Sequence, residues 1–356
     1  MSLWWRIKDR GRSLRNGPPL SCAAFHVLHP ESRCLSAFHN GWLGVKVIMR
    51  KLVTIDCNYL YPEFAAAYLM MEDRRALFIE NNTSRALNRM LSALQTEDLV
   101  PDQVEYLIIT HVHLDHAGGT SALVRHCPNA TVLAHPKAAK TIIDPSRLIA
   151  SAKKVYGERE FDELYGEILP VDKDRVRVIS DGETLNFGNR TLRFFYTEGH
   201  ATHHFCVHDS GTNGVFTGDS FGLRYPALQK QGLFILPSTS PIDFDPVEAK
   251  LSLQKILETG AERAFVTHFG EVRQMKEAKD QVMEHLDAHE RILEQAKTTE
   301  LSGKALADFC EEKVRRHFVD FFEKKRWQVD SKAWDLLKLD IELNAAGIAF
   351  RAEAWR

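Results

Sequence analysis

The nonapeptide His111-Val112-His113-Leu114-Asp115-His116-Ala117-Gly118-Gly119 constrains this chain more than any other stretch, because it follows directly on the apolar run Val104 to Thr110. Such a run predicts a buried strand that ends in a histidine-rich loop. In extended chain alternate residues point the same way, so His111 and His113 can chelate one ion from one side. The chain must then turn for Asp115 and His116 to reach a second ion. Gly118 and Gly119 suit that turn, by allowing close backbone approach and positive φ where a helix begins. Neutral imidazole and carboxylate are the ligands of non-structural zinc sites, and this density of them is more than a loop of surface histidines supplies.

Three later positions share the setting, a ligand type at the C-terminal end of an apolar strand: His200 after LRFFYTEG, Asp219 after VFTG and His268 after AFVT. Each alone is a weak signal. Together with the first cluster they give five histidines and two aspartates, enough for two divalent ions, with Asp219 the natural bridging carboxylate.

The pattern around these positions is mixed α and β. Leu52 to Tyr59, Phe64 to Met71 and Ala76 to Glu80 predict an antiparallel meander. Asn81-Asn82-Thr83-Ser84 then offers N-cap residues for a helix bearing Leu87, Met90, Leu91 and Leu94. A helix over 119–126 and a strand over 131–135 follow. Residues 136–170, bracketed by Pro136 and Pro170, predict a helical insertion that carries Tyr156, Phe161 and Tyr165 and could serve as a lid. Short strands resume between Val176 and Thr217, a helix follows Asp245-Pro246, and Ala264 to Thr267 is expected to be the last strand. Beyond Gly270 three helical patterns remain, each with one apolar face that must pack on the body or on a partner chain, which leaves room for a homodimer. The organisation expected is a dispensable basic extension or organelle presequence (1–48), a catalytic domain (49–270) and a C-terminal helical domain (271–356).

Composition narrows the function. With 44% apolar residues the chain can bury a core, and 46 basic against 48 acidic residues leave a charge of -2 that gives no support for a nucleic-acid partner. The 6 cysteines form no CxxC pair, which argues against a disulfide scaffold or zinc ribbon and for a reducing cytoplasm. No run of about 18 apolar residues predicts a membrane span.

Thr110 to Gly119 matches THxHxDHxGG, the signature of the metallo-β-lactamase-fold hydrolase superfamily, which this chain resembles over roughly residues 50–270. The likeness extends to TxGH at Thr197 to His200, GDS at Gly218 to Ser220 and Thr267-His268. It implies an αββα four-layer sandwich, an α/β fold to which a C-terminal helical extension is added. It also implies that His111, His113 and His200 hold one metal, that Asp115, His116 and His268 hold the other, and that Asp219 bridges them. Glu198, where many members have proline, should alter the loop before His200 more than the coordination. The HATHH run (His200 to His204), the Pro237 to Pro241 segment and the insertion look similar to a group of bacterial and archaeal paralogues. The C-terminal helices resemble those of the glyoxalase II branch.

Two divalent ions, zinc first with iron or manganese as alternatives, leave such a site electrophilic and supply a bridging hydroxide as nucleophile. Asp115 is the expected catalytic residue, orienting water and moving a proton. A small carbonyl substrate follows, thioester or lactone favoured. The alternatives are mononuclear iron oxidation of the persulfide dioxygenase type, on His111, His200 and Asp219, and phosphodiester or RNA hydrolysis. Arg224 and Tyr225, on the loop after Asp219, are candidate substrate contacts. His204, with His203 beside it, is a candidate for orienting a ligand, and His135 reads as structural.

Overall fold

The structure, a computed structural model, describes residues 50–239 and 243–355. The basic segment 1–48 lies outside the described residues, as do Ser240 to Ile242 of the Pro237 to Pro241 segment. In chain order the elements are β1 (Arg50–Asp56), β2 (Ala66–Glu72), β3 (Arg75–Ile79), α1 (Leu87–Thr96), β4 (Val104–Ile108), α2 (Leu114–Ala117), α3 (Thr120–His126) and β5 (Thr131–Ala134). Then come α4 (Pro136–Ile143), α5 (Ser146–Tyr156), α6 (Glu158–Tyr165), β6 (Val176–Val178), β7 (Thr184–Phe187), β8 (Arg190–Tyr196), β9 (Phe205–Asp209) and β10 (Gly214–Gly218). Helix α7 (Pro246–Glu258), β11 (Arg263–Val266), β12 (Gly270–Val272), α8 (Met275–Thr298), α9 (Gly303–Lys325) and α10 (Ser331–Glu353) complete the chain.

Two six-stranded sheets form, one in the order β1 to β6 and the other in the order β12-β11-β10-β9-β8-β7. The period of two along β2 shows why they stack. Ala66, Tyr68 and Met70 face the second sheet and meet Phe194, Phe205, Phe216 and Phe265, while Ala67, Leu69 and Met71 face helices and meet Met90, Leu94 and Ile142. With both faces buried, the strand reads as an unbroken apolar run. The outer face of the second sheet, through Val215, Ala264 and Val266, shares one core with α7 and with the tail helices. This is the αββα sandwich with C-terminal helices.

Three expectations need correction. Strand signals do not stop at Gly270: β12 pairs antiparallel with β11 and forms the sheet edge, too short at three residues for a periodicity to show. The polar run at Asn81 to Ser84 does not cap α1, which enters through a 3-10 turn without a side-chain cap. Its side chains bond across the fold instead: Asn81 to Thr120, Asn82 to the Asp115 carbonyl and Ser84 to the Tyr165 carbonyl. Gly118 and Gly119 have no positive φ, lying at -61° and -83°. Close approach is their requirement, since a Cβ on Gly119 would sit 2.3 Å from the Asn81 carbonyl oxygen.

The tail docks through polar as well as apolar contacts. Helix α10 starts with Asp330 accepting from Ala333 N–H at 2.8 Å. Further along, Tyr225 donates its hydroxyl to buried Asp340 at 3.0 Å, and Asn344 bonds Thr239 and the Pro237 carbonyl. Burial pushes the Asp340 carboxyl up to about 7, against the lowering effect of the Tyr225 hydroxyl. A carboxyl raised in the fold binds its proton more tightly there than in the unfolded chain. Its contribution is therefore full below the ordinary carboxylate range and is lost as pH rises through about 7. In metal-free protein Asp340→Asn, which keeps an acceptor for Tyr225, should exceed the parent in stability at about pH 8, by up to about 4 kcal/mol, and match it near pH 4. Urea unfolding at the two pH values measures this, and equal parent and variant curves at both would refute it.

Candidate metal centre

The candidate ligands converge on the edge of the sandwich where the C-terminal ends of β4, β8, β10 and β11 meet. His111, His113 and Asp115 follow β4, and His116 stands on the single turn of α2. His200 follows β8, Asp219 follows β10 and His268 follows β11. Gly218, at φ +49°, delivers Asp219: a Cβ there would lie 2.5 Å from both His204 Nε2 and Thr110 Oγ1.

Two sets of donor atoms result. In the first, His111 Nε2 and His113 Nδ1 are 2.9 Å apart, and His200 Nε2 lies 3.3 and 3.1 Å from them. Three nitrogens on a tetrahedral zinc, with bonds near 2.0–2.1 Å, stand about 3.3 Å apart. In the second, Asp115 Oδ2 lies 3.4 Å from His268 Nε2 and 3.8 Å from His116 Nε2. The Asp219 carboxylate faces both: Oδ2 is 3.5 Å from His200 Nε2, while Oδ1 is 3.4 Å from His116 Nε2 and 3.7 Å from His268 Nε2. His116 Nε2 and Asp219 Oδ1 are buried without a hydrogen-bond partner. Orphaned polar atoms of that kind are costly unless a cation fills the space between them. All seven sequence-predicted ligands are thus brought together, and they fit divalent metal.

The opposite nitrogens fix the tautomers. His116 Nδ1 donates to Glu80 Oε1 at 3.1 Å, His200 Nδ1 to the Ser238 carbonyl at 2.9 Å and His268 Nδ1 to the Phe64 carbonyl at 2.8 Å. His111 Nδ1 donates to Thr110 Oγ1 at 3.1 Å, and that hydroxyl donates in turn to Glu80. Each arrangement leaves the facing nitrogen with a free lone pair. Glu80 also lies close enough to His111 and His116 to count as a ligand. It already accepts from Thr110, Thr267 and His116, so orientation rather than coordination is its role.

Electrostatics divides the two sets. Burial, and then neighbouring imidazoles, hold His111 and His113 well below the ordinary histidine range, in the neutral form that binds metal. At the other set burial would raise Asp115 and Asp219, but His116 and His268 outweigh it and hold both carboxyls well below their usual range. Burial alone would keep His116 neutral, yet Asp219, Asp115 and Glu80 draw it well above the ordinary value. Three carboxylates crowded together, those of Glu80 and Asp219 buried and that of Asp115 partly so, call for positive charge, which metal ions would supply.

Sequence reading missed Glu80, although it too ends an apolar strand. The Phe64 and Ser238 carbonyls carry no side-chain signal. His204 lies beneath Asp219, with Nδ1 2.8 Å from Thr197 Oγ1 and Nε2 accepting from the Asp219 N–H at 3.4 Å. His203 accepts from Val112 N–H at 3.4 Å. Tyr225 is fully buried, stacked on Phe64 with ring centroids 5.3 Å apart, and bonded to Asp340. Arg224 is half-buried and exchanges backbone hydrogen bonds with His268 and Phe269. Glu198 accepts through its carbonyl from Ser252 at 2.6 Å, which ties the loop before His200 to α7. His135 caps α4 by accepting from Lys137 N–H.

A sequence model of the metallo-beta-lactamase superfamily matches residues 74–268. The metallo-beta-lactamase fold-containing protein ST1585 of Sulfurisphaera tokodaii is 27% identical over 186 residues, 51% of this chain and 64% of that protein. The atrochrysone carboxyl ACP thioesterase of Aspergillus fumigatus is 23% identical over 230 residues, 63% of this chain and 56% of its own. The acyl-coenzyme A thioesterase MBLAC2 of Homo sapiens is 27% identical over 117 residues, 32% and 39% of the two chains. The chain thus spans less than two thirds of the length of these curated relatives. Among solved structures, ST1585 aligns with a TM-score of 0.57 at 24% identity, covering 84% of this chain and 98% of that one. The protein TTHA1429 of Thermus thermophilus aligns at 0.55 and 17% identity, covering 77% and 94%. At these identities the likeness shows a shared fold.

Glu80→Gln keeps the volume but cannot accept at both oxygens, so metal affinity should fall about 10–100-fold, read by competition with a chromophoric chelator. Asp219→Ala should lower both second-ion occupancy and activity. A variant retaining two ions and full rate would show that Asp219 is no bridge.

Proposed function

This chain belongs to the metallo-beta-lactamase superfamily, and on that premise we propose that it is a metal-dependent hydrolase of a small carbonyl substrate, with a thioester favoured. The observation that carries the reading is the single Asp219 carboxylate turned towards both ligand sets. Two ions held there, zinc first with iron or manganese as alternatives, would supply Lewis acidity and bring the pKa of bound water towards neutrality.

The chain's own residues do the rest. Asp115 is the more exposed of the two ligand carboxylates, at 27% against 6% for Asp219. Held ionised by its neighbours, it can orient water towards the substrate carbonyl and take the proton that water gives up. As the C–O bond forms and the C–S bond breaks, the same carboxyl hands that proton to the leaving sulfur. A thiol, with an ordinary pKa near 8.5, leaves more readily than an alcohol. Beside Asp115 stands a tyrosine cluster built partly by the insertion: Tyr59 and Tyr165 hydroxyls are 3.4 Å apart, and the Tyr156 ring is 5.6 Å from that of Tyr165. Burial, reinforced by the Asp115 charge, keeps all three hydroxyls protonated. Tyr59 donates to Tyr165, and the partly exposed Tyr156 is the hydroxyl of the cluster that can donate to a substrate oxygen. That two relatives are named as thioesterases of acyl-coenzyme A and of a carboxyl ACP supports the substrate class.

A reducing, cytoplasmic setting accords with the free, buried thiols Cys57, Cys127, Cys206 and Cys310. Among the described residues no helix is long and apolar enough to cross a membrane.

Metal-loaded protein assayed against acyl thioesters, lactones, β-lactams and phosphodiesters should turn over thioesters best. Asp115→Asn should reduce kcat by about 10²–10⁴-fold. No turnover of any class would sink the hydrolase reading, and about one iron per chain with oxygen uptake would replace it with oxidation.

A further inference from the structure

A second histidine cluster lies in the helical tail, built by residues that the candidate metal centre does not use. His285 and His289 are spaced i, i+4 on α8, which places both on one helix face. His317 reaches them from α9: its Nε2 lies 2.7 Å from His285 Nδ1, closer than any nitrogen pair among His111, His113 and His200. Ring centroids show the tail cluster to be looser. The first trio is spaced at 4.5, 4.9 and 4.9 Å, and in the tail the His285–His317 distance is 5.0 Å and the His289–His317 distance 6.5 Å.

The strongest observation is what these side chains lack. His285 and His289 are fully buried, and His285 Nε2 and both nitrogens of His289 have no hydrogen-bond partner. A buried imidazole nitrogen without a partner is an uncompensated desolvation, and an ion held by His289 would relieve it at one of that ring's two nitrogens. Packing does not require them. The neighbouring positions are filled by Phe318 and Phe321, whose rings lie 5.2 and 4.7 Å from that of His285, and leucine would fit such surroundings at lower cost. His317 is half-buried and opens the cluster to solvent. The Glu284 and Asp320 carboxylates stand near it, with Arg291 and Lys324 opposing them.

We propose that His285, His289 and His317 form a binding site for a divalent transition metal ion, pinning α8 to α9. Three neutral imidazoles without thiolate or carboxylate suit zinc, nickel or copper better than magnesium or calcium. His289, its ring 6.5 Å from that of His317, would have to turn towards the His285–His317 nitrogen pair to complete the site, and the i, i+4 spacing is the one with which two helical histidines grip one ion. Burial favours the neutral form of all three rings, the state in which they bind metal. The site is independent of the hydrolytic reading.

Zinc is the probe. Full-length protein stripped with chelator and reloaded with zinc should hold about one more ion per chain than either His289→Leu or His317→Gln, counted by elemental analysis. Thermal unfolding gives a second readout: in a His111→Ala, His113→Ala, His116→Ala, Asp219→Ala background, which disables both ligand sets of the candidate centre, zinc should raise Tm, and adding His317→Gln should abolish the rise. His317→Gln alters a half-buried position, so it decides the matter if His289→Leu does not fold. Equal zinc content in parent and His317→Gln, or an unchanged Tm response, overturns the proposal.

Discussion

A single buried carboxylate, that of Glu80, ties the two halves of the sandwich to the site between them. It accepts from Thr110 at the end of β4, from Thr267 at the end of β11 and from the ring of His116. A carboxylate 1% exposed is tolerable only if its lone pairs are met, so each of these partners has to stand where it does. The consequence reaches both ligand sets. His116 is oriented directly, and His111 through the Thr110 hydroxyl. Glu80 itself adopts φ +66°, a conformation that side chains other than glycine avoid. The surrounding hydrogen bonds over-determine it, as expected where strain serves a site.

The architecture explains why seven candidate ligands from four strand ends can meet at all. Facing sheets, with every strand's inner residues alternating into one core, fix the strand ends relative to each other more rigidly than any loop could. Each candidate ligand then sits within five residues of a strand terminus, or on the single turn that follows one. Close backbone approaches at Gly119 and Gly218 allow the polar loops to lie against one another. Precision at the candidate metal site is thus inherited from core packing, and the loops add only the last bend.

How much of this was legible in sequence follows from what kind of signal each residue leaves. His111, His113, Asp115 and His116 are readable because packing alone seldom puts so dense a run of ligand types directly after an apolar strand. His200, Asp219 and His268 become readable only as a set, and through the motifs around them. Glu80 has the same strand-end setting, yet a lone glutamate beside a turn looks like surface charge. Carbonyl groups of Phe64 and Ser238 leave no trace, since any residue carries one. Asn81 to Ser84 misled for a related reason: side chains suited to cap a helix are equally suited to brace a distant loop, and only the fold decides which partner is nearer. The tail's histidines were lost because one helix turn separates His285 from His289 while His317 comes from another helix.

The tail is part of the site's support, and its contacts show how. Helix α10 places Asn344 against Pro237 and Thr239, the residues on either side of Ser238. The Ser238 carbonyl is the acceptor that orients His200. The same helix places Asp340 on the Tyr225 hydroxyl, and the Tyr225 ring stacks on Phe64, whose carbonyl orients His268. One helix therefore braces one ligand of each set through backbone carbonyls that no substitution at the ligands themselves would touch. Displacing α10 by an ångström would tilt both imidazoles together, because the carbonyls that set their tautomers would move with it. A three-helix tail that shares a continuous core with the second sheet resists that displacement, and in doing so it transmits the stability of the helix bundle to the geometry of the candidate metal centre.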